Sequence, residues 1–305
     1  MQISIIVPVY NTSKYLRKCL DSIIEIASLK KEIILINDGS NDNSLEIINE
    51  YKVKYSKEIK VINQKNQGLS ATRNLGIQIS TGNVIAFIDS DDFIDAKILV
   101  DGVNFFEKED LDILCFGITD YKDEKFLPRK IIEEEFLEKT VTGLEYIDKM
   151  VVKKNFYIEA CCKLYRRNFL IENKIFFQEK LIHEDNLFAI EAFIKATKVR
   201  SYSEIYYFYR RDNEQSITNN KTKENMKHII YIINRSIDHI KSLKLENKGI
   251  NRIIITMYLS SIVSYRLKST FTLERILKIN NFSFREKIKI AIIIIFSKFC
   301  KEENF

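Results

Sequence analysis

The first 95 residues alternate between short apolar runs and longer amphipathic stretches, with short connections between them. Apolar, β-branched runs of this kind are typical of strands buried on both faces, and they occupy residues 2–9, 32–37, 59–63 and 84–88. The intervening segments have helical periodicity, over residues 14–27, 45–54 and 70–79. Thr12 or Ser13, and Asn43 or Ser44, are placed to cap the first two helices. The alternation predicts an α/β fold with a doubly wound, mostly parallel sheet and helices on both faces.

The pattern is less regular after residue 95. An apolar run at residues 111–117 predicts another strand, and the charged residues 120–139 predict a surface loop or hairpin. Thr142 is placed to cap a helix that extends to about residue 154. Four further segments with helical spacing complete the chain, at residues 226–243, 249–267, 272–279 and 284–299.

Polar clusters follow three of the predicted strands at their carboxyl ends. They are Pro8-Val9-Tyr10-Asn11, Asn37-Asp38-Gly39-Ser40 and Asp89-Ser90-Asp91-Asp92. In open α/β sheets ligands bind beyond the carboxyl ends of the strands. We therefore expect these clusters to meet at one edge of the sheet and to form a binding site.

The carboxylates after the fourth strand indicate a cation site. If the strand continues far enough, Asp89 and Asp91 point to the same side and Ser90 to the other. Two adjacent anions repel each other unless a cation joins them, and hard oxygen ligands suit Mg2+ or Mn2+. On the residues alone the alternative stays open that this is an Asp-rich turn that caps a helix.

Two nucleotide-binding fingerprints are absent from the sequence. No G-x-G-x-x-G follows the first strand, and no G-x-x-x-x-G-K-[ST] occurs. This disfavours a dinucleotide oxidoreductase and a phosphate-loop ATPase, so that bound phosphates would need a metal ion.

Four motifs in order resemble the family 2 glycosyltransferases of GT-A fold, over roughly residues 2–95. They are residues 6–11 (IVPVYN), 37–40 (NDGS), 66–76 (NQGLSATRNLG) and 87–92 (FIDSDD). A weaker similarity to bacterial capsule and lipooligosaccharide members continues through residues 163–166, 175–177, 183–185 and 207–218. The resemblance divides the first domain into a nucleotide-sugar half, 1–95, and an acceptor half, 96–220.

The resemblance implies an inverting transfer from a nucleotide-diphosphate sugar, usually a UDP-sugar, to a hydroxyl of a glycan or lipid-linked acceptor. It assigns Asp38 to the base, Asp89 to ribose and metal, Asp91 to the metal, and Arg73 to the neighbourhood of the diphosphate. The whole donor-binding set that it implies is Pro8, Val9, Tyr10, Asn11, Asp38, Arg73, Asp89, Ser90, Arg210 and Ser216. A turn aspartate at 38 and a solvated arginine at 73 are the structural alternatives.

The resemblance also implies that Asp185 is the general base, with Glu184 as an orienting partner or an alternative base. A carboxylate next to another carboxylate, partly buried, has a raised pKa that helps proton abstraction. Acids at the start of a helix are also ordinary capping residues. Arg210 and Ser216 belong to a segment that closes over the donor in relatives, and a strand edge followed by a polar turn is the alternative.

Charge is unevenly distributed along the chain. Residues 221–305 carry 17 Lys and Arg against 7 Asp and Glu, a net charge of +10, whereas residues 1–220 have a net charge of −4. This contrast predicts a catalytic domain, 1–220, and a basic helical region, 221–305. Such helices either lie on an anionic membrane surface or pack on the first domain, and both readings stay open. The acidic first domain and the lack of a recognition motif argue against nucleic-acid binding.

The cysteine content and the apolar windows of the sequence indicate the cellular compartment. Five cysteines without paired C-x-x-C motifs indicate neither a disulfide framework nor a zinc site. No signal peptide and no membrane-spanning window is evident, so we expect a cytoplasmic protein, peripheral on the inner membrane face if the basic region binds lipid. A non-catalytic nucleotide-sugar-binding scaffold and a nucleotidyltransferase of similar sheet topology are the alternative functions.

Overall fold

The computed structural model describes residues 2–127, 139–153, 156–213, 222–265, 267–279 and 284–302. Its strands are β1 (Gln2–Val9), β2 (Lys30–Asn37), β3 (Ile59–Asn63), β4 (Val84–Phe87), β5 (Phe93–Ile94), β6 (Ile113–Lys122), β7 (Lys125–Leu127), β8 (Lys163–Arg166), β9 (Val199–Arg210), β10 (Leu267–Lys268) and β11 (Lys301–Glu302). Its helices are α1 (Ser13–Ile24), α2 (Ser44–Lys54), α3 (Leu69–Ile79), α4 (Ala96–Lys108), α5 (Gly143–Lys153), α6 (Arg167–Glu172), α7 (Glu184–Lys195), α8 (Lys223–Ser242), α9 (Lys248–Tyr265), α10 (Thr270–Leu277) and α11 (Phe284–Ser297).

One large sheet organises the first 210 residues. Within the described residues its strand order is β3-β2-β1-β4-β8-β6-β9-β5, with β7 paired to β6. The first four strands in this order are parallel, and β8 joins them to β6 through two antiparallel pairings. The prediction of a mostly parallel sheet flanked by helices is confirmed for this fold, with a mixed second half that the strand–helix alternation did not indicate.

The parallel strands are apolar because both of their faces are covered by helices. From Ile5 to Val7 every residue of β1 is buried, and so is every residue of β4. The strand β4 ends at Phe87, two residues before the first aspartate. Strand alternation therefore does not extend to the acidic cluster, which forms a turn closed by a hydrogen bond from the Asp92 amide to the Asp89 carbonyl, 3.0 Å.

The first two helices are not capped as predicted. Neither Thr12 nor Asn43 makes a side-chain capping bond. Instead the carboxylate of Asp42 accepts hydrogen bonds from the backbone amides of Ser13 and Ser44, the first residues of both helices. A single anion thus serves two helix N-termini, where partial positive charge accumulates.

The C-terminal helices pack on the second half of the sheet domain. Helix α9 contacts α5, α8 and α11, and buried side chains of these helices belong to one core with residues of β1 and β4. Ile290 and Ile293 on the inner face of α11 are part of that core. The boundary at residue 220 stays a prediction. In the described part of the chain, no helix combines the length and apolarity that crossing a membrane requires.

Candidate active site

The carboxyl ends of β1, β2 and β4 meet at one edge of the sheet, as the sequence predicts. Val9 is paired with Asn37, and the Asp38 amide donates to the Val9 carbonyl at 2.9 Å. On the other side of β1, the Ile88 amide donates to the Ile6 carbonyl at 3.0 Å. The three polar clusters therefore lie side by side, separated by single strand spacings.

Asp38 organises the loop that leads into α3. Its carboxylate accepts hydrogen bonds from the backbone amides of Gln67 and Gly68, at 2.8 and 2.9 Å, and from Nε2 of Gln64. Gly68 has a φ of 88°, a conformation that suits glycine and that starts the helix. The Asp38 carboxylate therefore holds the turn at Gln67 and Gly68, as the turn interpretation expects. Its contact with the nucleotide base stays a prediction.

The first polar cluster forms the floor and rim beside Asp38. Pro8 and Val9 are buried, whereas Tyr10 is 48% exposed at the rim. Asn11 adopts a left-handed conformation, and its Oδ1 accepts from the Asn41 amide at 2.8 Å. This arrangement leaves the Tyr10 ring accessible next to the Asp38 loop.

Arg73 is buried at the centre of an acidic cluster, not solvated. Its Nη2 lies 2.6 Å from Asp89 Oδ1, and its Nη1 lies 2.7 Å from Glu184 Oε1 and 3.0 Å from Asp185 Oδ1. Its side chain is 1% exposed. The structural alternative of a surface arginine is wrong, and the guanidinium is occupied by three carboxylates. A phosphate contact for Arg73 stays a prediction.

The residues around Arg73 explain the motif that contains it. The guanidinium carbon lies 5.1 Å from the centre of the Phe177 ring. Asn74 exchanges two hydrogen bonds of 2.8 Å with the backbone of Phe177. Adjacent residues of α3 therefore fix the arginine and the aromatic surface beneath it.

Three carboxylates around one guanidinium carry excess negative charge. Burial raises the pKa of Asp185 to about 7, opposed by Arg73 and assisted by the charges of Glu184 and Asp89. Burial likewise raises the pKa of Glu184. A carboxyl with a pKa near neutrality exchanges protons readily at physiological pH. The general-base role of Asp185 stays a prediction.

Asp91 and Asp89, the two predicted metal ligands, lie in the same acidic turn. Burial and then the negative charge of Asp89 raise the pKa of Asp91, and the hydrogen bond from Asn213 and the charge of Arg210 oppose this shift. One Asp91 oxygen, Oδ2, accepts from Nδ2 of Asn213 at 2.8 Å. Among the residues that the structure describes, no group of three or more ligating side chains surrounds this point. Metal binding by Asp89 and Asp91 stays a prediction.

Asp92 has a role that the sequence interpretation missed. The helix α4 is capped by Asp95, which accepts from the Ile98 amide. Asp92 is buried, and it accepts hydrogen bonds of 2.7 Å from the Tyr207 hydroxyl and from the Arg210 amide. Asp92 therefore fastens β9 to the acidic turn. The Tyr207 in the weaker motif was the only sequence signal for this contact.

The other predicted donor-binding residues have different surroundings. Arg210 donates from Nε to the Asp91 carbonyl at 2.8 Å and stacks on the Tyr15 ring. The buried Ser90 accepts from the Thr12 hydroxyl at 2.9 Å. Ser216 lies outside the described residues. Donor contacts of all three stay predictions.

Comparison with known proteins assigns the chain to a family. Residues 4–173 match the family model described as "Glycosyl transferase family 2". The chain belongs to glycosyltransferase family 2. The match extends from β1 to the end of α6 and so includes Arg73 and the acidic turn after β4.

Several curated relatives of family 2 are similar to the chain. A poly(ribitol-phosphate) beta-glucosyltransferase of Bacillus spizizenii is 32% identical over 263 residues, 83% of this chain and 40% of the relative. A cholesterol galactosyltransferase of Borreliella burgdorferi is 31% identical over 220 residues, 68% of this chain and 59% of the relative. The chain thus spans about half the length of these relatives.

Solved structures of family 2 members confirm the fold. TarS 1–349 of Staphylococcus aureus in complex with UDP-GlcNAc superposes with a TM-score of 0.67, at 22% identity, and the match covers 96% of this chain and 79% of that one. At this identity the likeness establishes the GT-A architecture alone.

Proposed function

We propose that this protein is an inverting, metal-dependent glycosyltransferase that moves a sugar from a UDP-sugar to a hydroxyl of a bacterial surface glycan or of its lipid-linked precursor. The observation that carries the proposal is the Arg73 cluster. One guanidinium holds Asp89, on the donor edge of the sheet, and Asp185, at the start of α7. The acids assigned to the donor and to the acceptor are thereby placed in one site.

The names of the relatives support the donor and the acceptor class. The similar TarS structure contains UDP-GlcNAc, and the relative in Bacillus spizizenii is named for transfer to poly(ribitol-phosphate). UDP-sugar as donor and a hydroxyl of a surface polymer as acceptor follow by analogy. A capsule or lipooligosaccharide product is a narrower prediction of the same kind.

The residues have different roles in the proposed reaction. Asp38, Tyr10 and the end of β1 border the space for the base and ribose. Asp185 takes the proton of the acceptor hydroxyl as that oxygen bonds to the anomeric carbon, and the bond from the anomeric carbon to the diphosphate oxygen breaks. The electron pair of that bond leaves with UDP. Attack from the face opposite the diphosphate inverts the anomeric configuration.

Asp91 and Asp89 are the residues that would hold Mn2+ or Mg2+. When bound, such an ion neutralises charge on the diphosphate. The Arg73 guanidinium keeps one oxygen of Asp89 fixed at 2.6 Å, so that the orientation of this carboxylate is set before donor binds. Preorganisation of this kind lowers the cost of assembling the site.

We infer further that α11 lies on an anionic membrane surface. Four exposed apolar side chains form a stripe along one face of α11 and the residues after it, at Ile288, Ile292, Ile295 and Phe299. Exposed Lys287 and Lys298 flank this apolar stripe. Apolar contact combined with lysine charge is the chemistry that binds anionic leaflets, and a cytoplasmic enzyme with a lipid-linked acceptor would work there.

A panel of nucleotide sugars tests the proposal. With Mn2+ present, the purified protein should release nucleotide from one UDP-sugar by slow hydrolysis and faster when acceptor is added. Asp185→Asn should lose most turnover and keep UDP binding, whereas the surface variant Asp101→Asn should behave like wild type. If no UDP-sugar is turned over and the protein instead releases pyrophosphate from a nucleoside triphosphate, the result would favour a nucleotidyltransferase.

A further inference from the structure

A cavity of about 600 Å³ lies between the acceptor half and the C-terminal helices. Residues of α5, α7, α8, α9 and α11 line it, together with the segment around Phe156 and Ile158. Volumes of 300–1,000 Å³ are usual for small-molecule sites. The cavity is separate from the edge of the sheet where the donor residues meet, and no role described so far uses it.

The walls of the cavity are largely apolar. Val151, Phe156, Ile158, Ile253 and Met257 provide aliphatic and aromatic surface. The polar groups are small hydroxyls on α9 and the side chains of His183, Asn186, Arg252, Glu286 and Lys289. Several of these polar groups already bond within the wall: Arg252 pairs with Glu286, Lys289 donates to the Thr256 hydroxyl, and Asn186 donates to the His183 carbonyl. A sugar ring needs several hydrogen-bonding side chains around it, because its hydroxyls lose water on binding. A hydrocarbon chain needs none, and gains by leaving water. The lining therefore suits a chain better than a saccharide.

The cavity adjoins the surroundings of the proposed base from two directions. His183 and Asn186 both line it, and they flank Glu184 and Asp185 in the sequence. Their backbones are joined by the turn that starts α7, in which the Asn186 amide donates to the His183 carbonyl at 3.1 Å. A molecule in the cavity thus contacts the same first turn of α7 that carries Asp185, although the Asp185 carboxylate itself does not line the cavity and is directed to Arg73.

The second direction is the segment that precedes β8. Ile158 lines the cavity, and the charge of the next residue, Glu159, acts on the Asp185 carboxyl. The same short segment therefore faces both the cavity and the base.

The far wall of the cavity is α11. Glu286 and Lys289 of this helix line the cavity, and Nε of Arg252 lies 3.5 Å from Glu286 Oε1. The opposite face of the same helix is the apolar stripe of Ile288, Ile292, Ile295 and Phe299. One helix thus separates the cavity from the surface that we assign to the membrane.

We propose that this cavity binds the hydrocarbon chain of an amphiphilic acceptor and presents the acceptor's hydroxyl to Asp185. This inference rests on the proposed function, since it names the acceptor class of the same site. It adds that acceptor recognition depends on the chain and on the C-terminal helices, and not only on the terminal sugar.

Calorimetric titration with dodecyl β-glucoside below its micelle concentration, compared with methyl β-glucoside, tests the proposal. The two probes share a head group, so that a difference reports the chain. The dodecyl compound should bind about ten-fold tighter or more. Ser260→Trp should place an indole in the cavity from an exposed position, and should weaken dodecyl binding about ten-fold or more.

Val263→Trp is the matched control, because Val263 is 50% exposed on the same helix and does not line the cavity. Met257→Trp is a second cavity variant if the first is unstable. The chain has no tryptophan, so each introduced indole also reports folding by its fluorescence. Equal affinity for both probes, or dodecyl binding that the folded cavity variants leave unchanged, would overturn the proposal.

Hydrolysis of the UDP-sugar, measured without acceptor, separates this proposal from the function on which it rests. Cavity variants should keep this hydrolysis at the wild-type rate. If wild-type protein binds the dodecyl chain in the cavity but processes no UDP-sugar, the glycosyltransferase assignment fails and chain binding stands. If it processes a UDP-sugar but binds no dodecyl chain, the glycosyltransferase assignment stands and chain binding fails.

Discussion

Arg73 Nη1 donates a hydrogen bond of 3.0 Å to Oδ1 of Asp185, a residue 112 positions further along the chain. The other terminal nitrogen of the same guanidinium reaches Asp89. Arg73 therefore fixes the distance between the acid assigned to the metal and the acid assigned to the acceptor. A planar group with several fixed donors can hold two carboxylates in this way, and a lysine ammonium cannot do so with the same geometry.

Arg73→Lys keeps the positive charge and removes the planar guanidinium, so it separates these two contributions to activity. We expect a folded protein whose transfer rate falls about 100-fold, because the two carboxylates lose their common support. Arg73→Ala should be destabilised by about 3–5 kcal/mol, since it leaves buried carboxylates without a cation. Urea unfolding and initial rates with saturating donor measure the two effects. A Lys variant with wild-type turnover would show that the guanidinium only balances charge.

The pH–rate profile of transfer should have an acidic limb set by Asp185. The base must be deprotonated, so kcat/KM should rise with pH and level off above the pKa of about 7. Glu184→Gln removes an anion that raises this pKa and should move the limb to lower pH. Asp101→Asn on the exposed face of α4 is the control. A limb that stays in place in the Gln variant would argue against Asp185 as the titrating group.

Asp185→Asn should stabilise the protein at alkaline pH. The pKa of the Asp185 carboxyl is about 7 in the folded protein and 3.8 in the ordinary, unfolded reference. The free energy of unfolding therefore falls as the pH rises from 3.8 to about 7, and it stays at the lower value above pH 7. We expect the melting temperature of the variant to exceed that of wild type by roughly 2–4 °C at about pH 8. The difference should shrink at about pH 5. Equal melting temperatures at both pH values would mean that Arg73 compensates the charge completely.

Asp91→Asn should weaken binding of Mn2+ in the presence of UDP. The substitution keeps the shape of the side chain and removes one anionic ligand, so the affinity should fall about ten-fold or more. Paramagnetic resonance of free Mn2+ measures this without turnover. Asp101→Asn should bind like wild type. An unchanged affinity of Asp91→Asn for Mn2+ would show that another oxygen is the metal ligand.

Introducing a negative charge on the apolar stripe should reduce binding to anionic vesicles. Ile295 and Phe299 are 59% and 82% exposed, so Ile295→Glu and Phe299→Glu should fold normally and sediment less with phosphatidylglycerol vesicles. Val53→Glu is a matched control, because Val53 is 82% exposed on α2, away from this helix. Equal sedimentation of all three variants and wild type would leave the stripe without a membrane role.

Much of the first half of the fold was predictable because its signals are local. Strands such as β1 and β2 are continuous apolar runs, and turn residues such as Gly39 mark their ends. The antiparallel strands β8 and β5 are short, and their pairing depends on partners far along the chain. No local periodicity specifies such pairing.

The sequence names candidate residues for the site but does not predict their contacts. Asp89, Asp91 and Asp185 follow from motifs and from the resemblance. The contact of Arg73 with all three acids of its cluster does not, because an arginine on an amphipathic helix has the same local pattern whether it faces water or carboxylates. Asp92 was missed for a similar reason, since its partner Tyr207 is 115 positions away.

The inner face of α11 makes the last helix and the first strand parts of one thermodynamic unit. Ile293 and Ile6 belong to the same buried core, so heat or denaturant should unfold both in a single cooperative transition. Truncation before α11 would open that core and destabilise the whole unit. Residues 1–95 and the C-terminal helices therefore have to be exchanged together in any chimaera made with a relative.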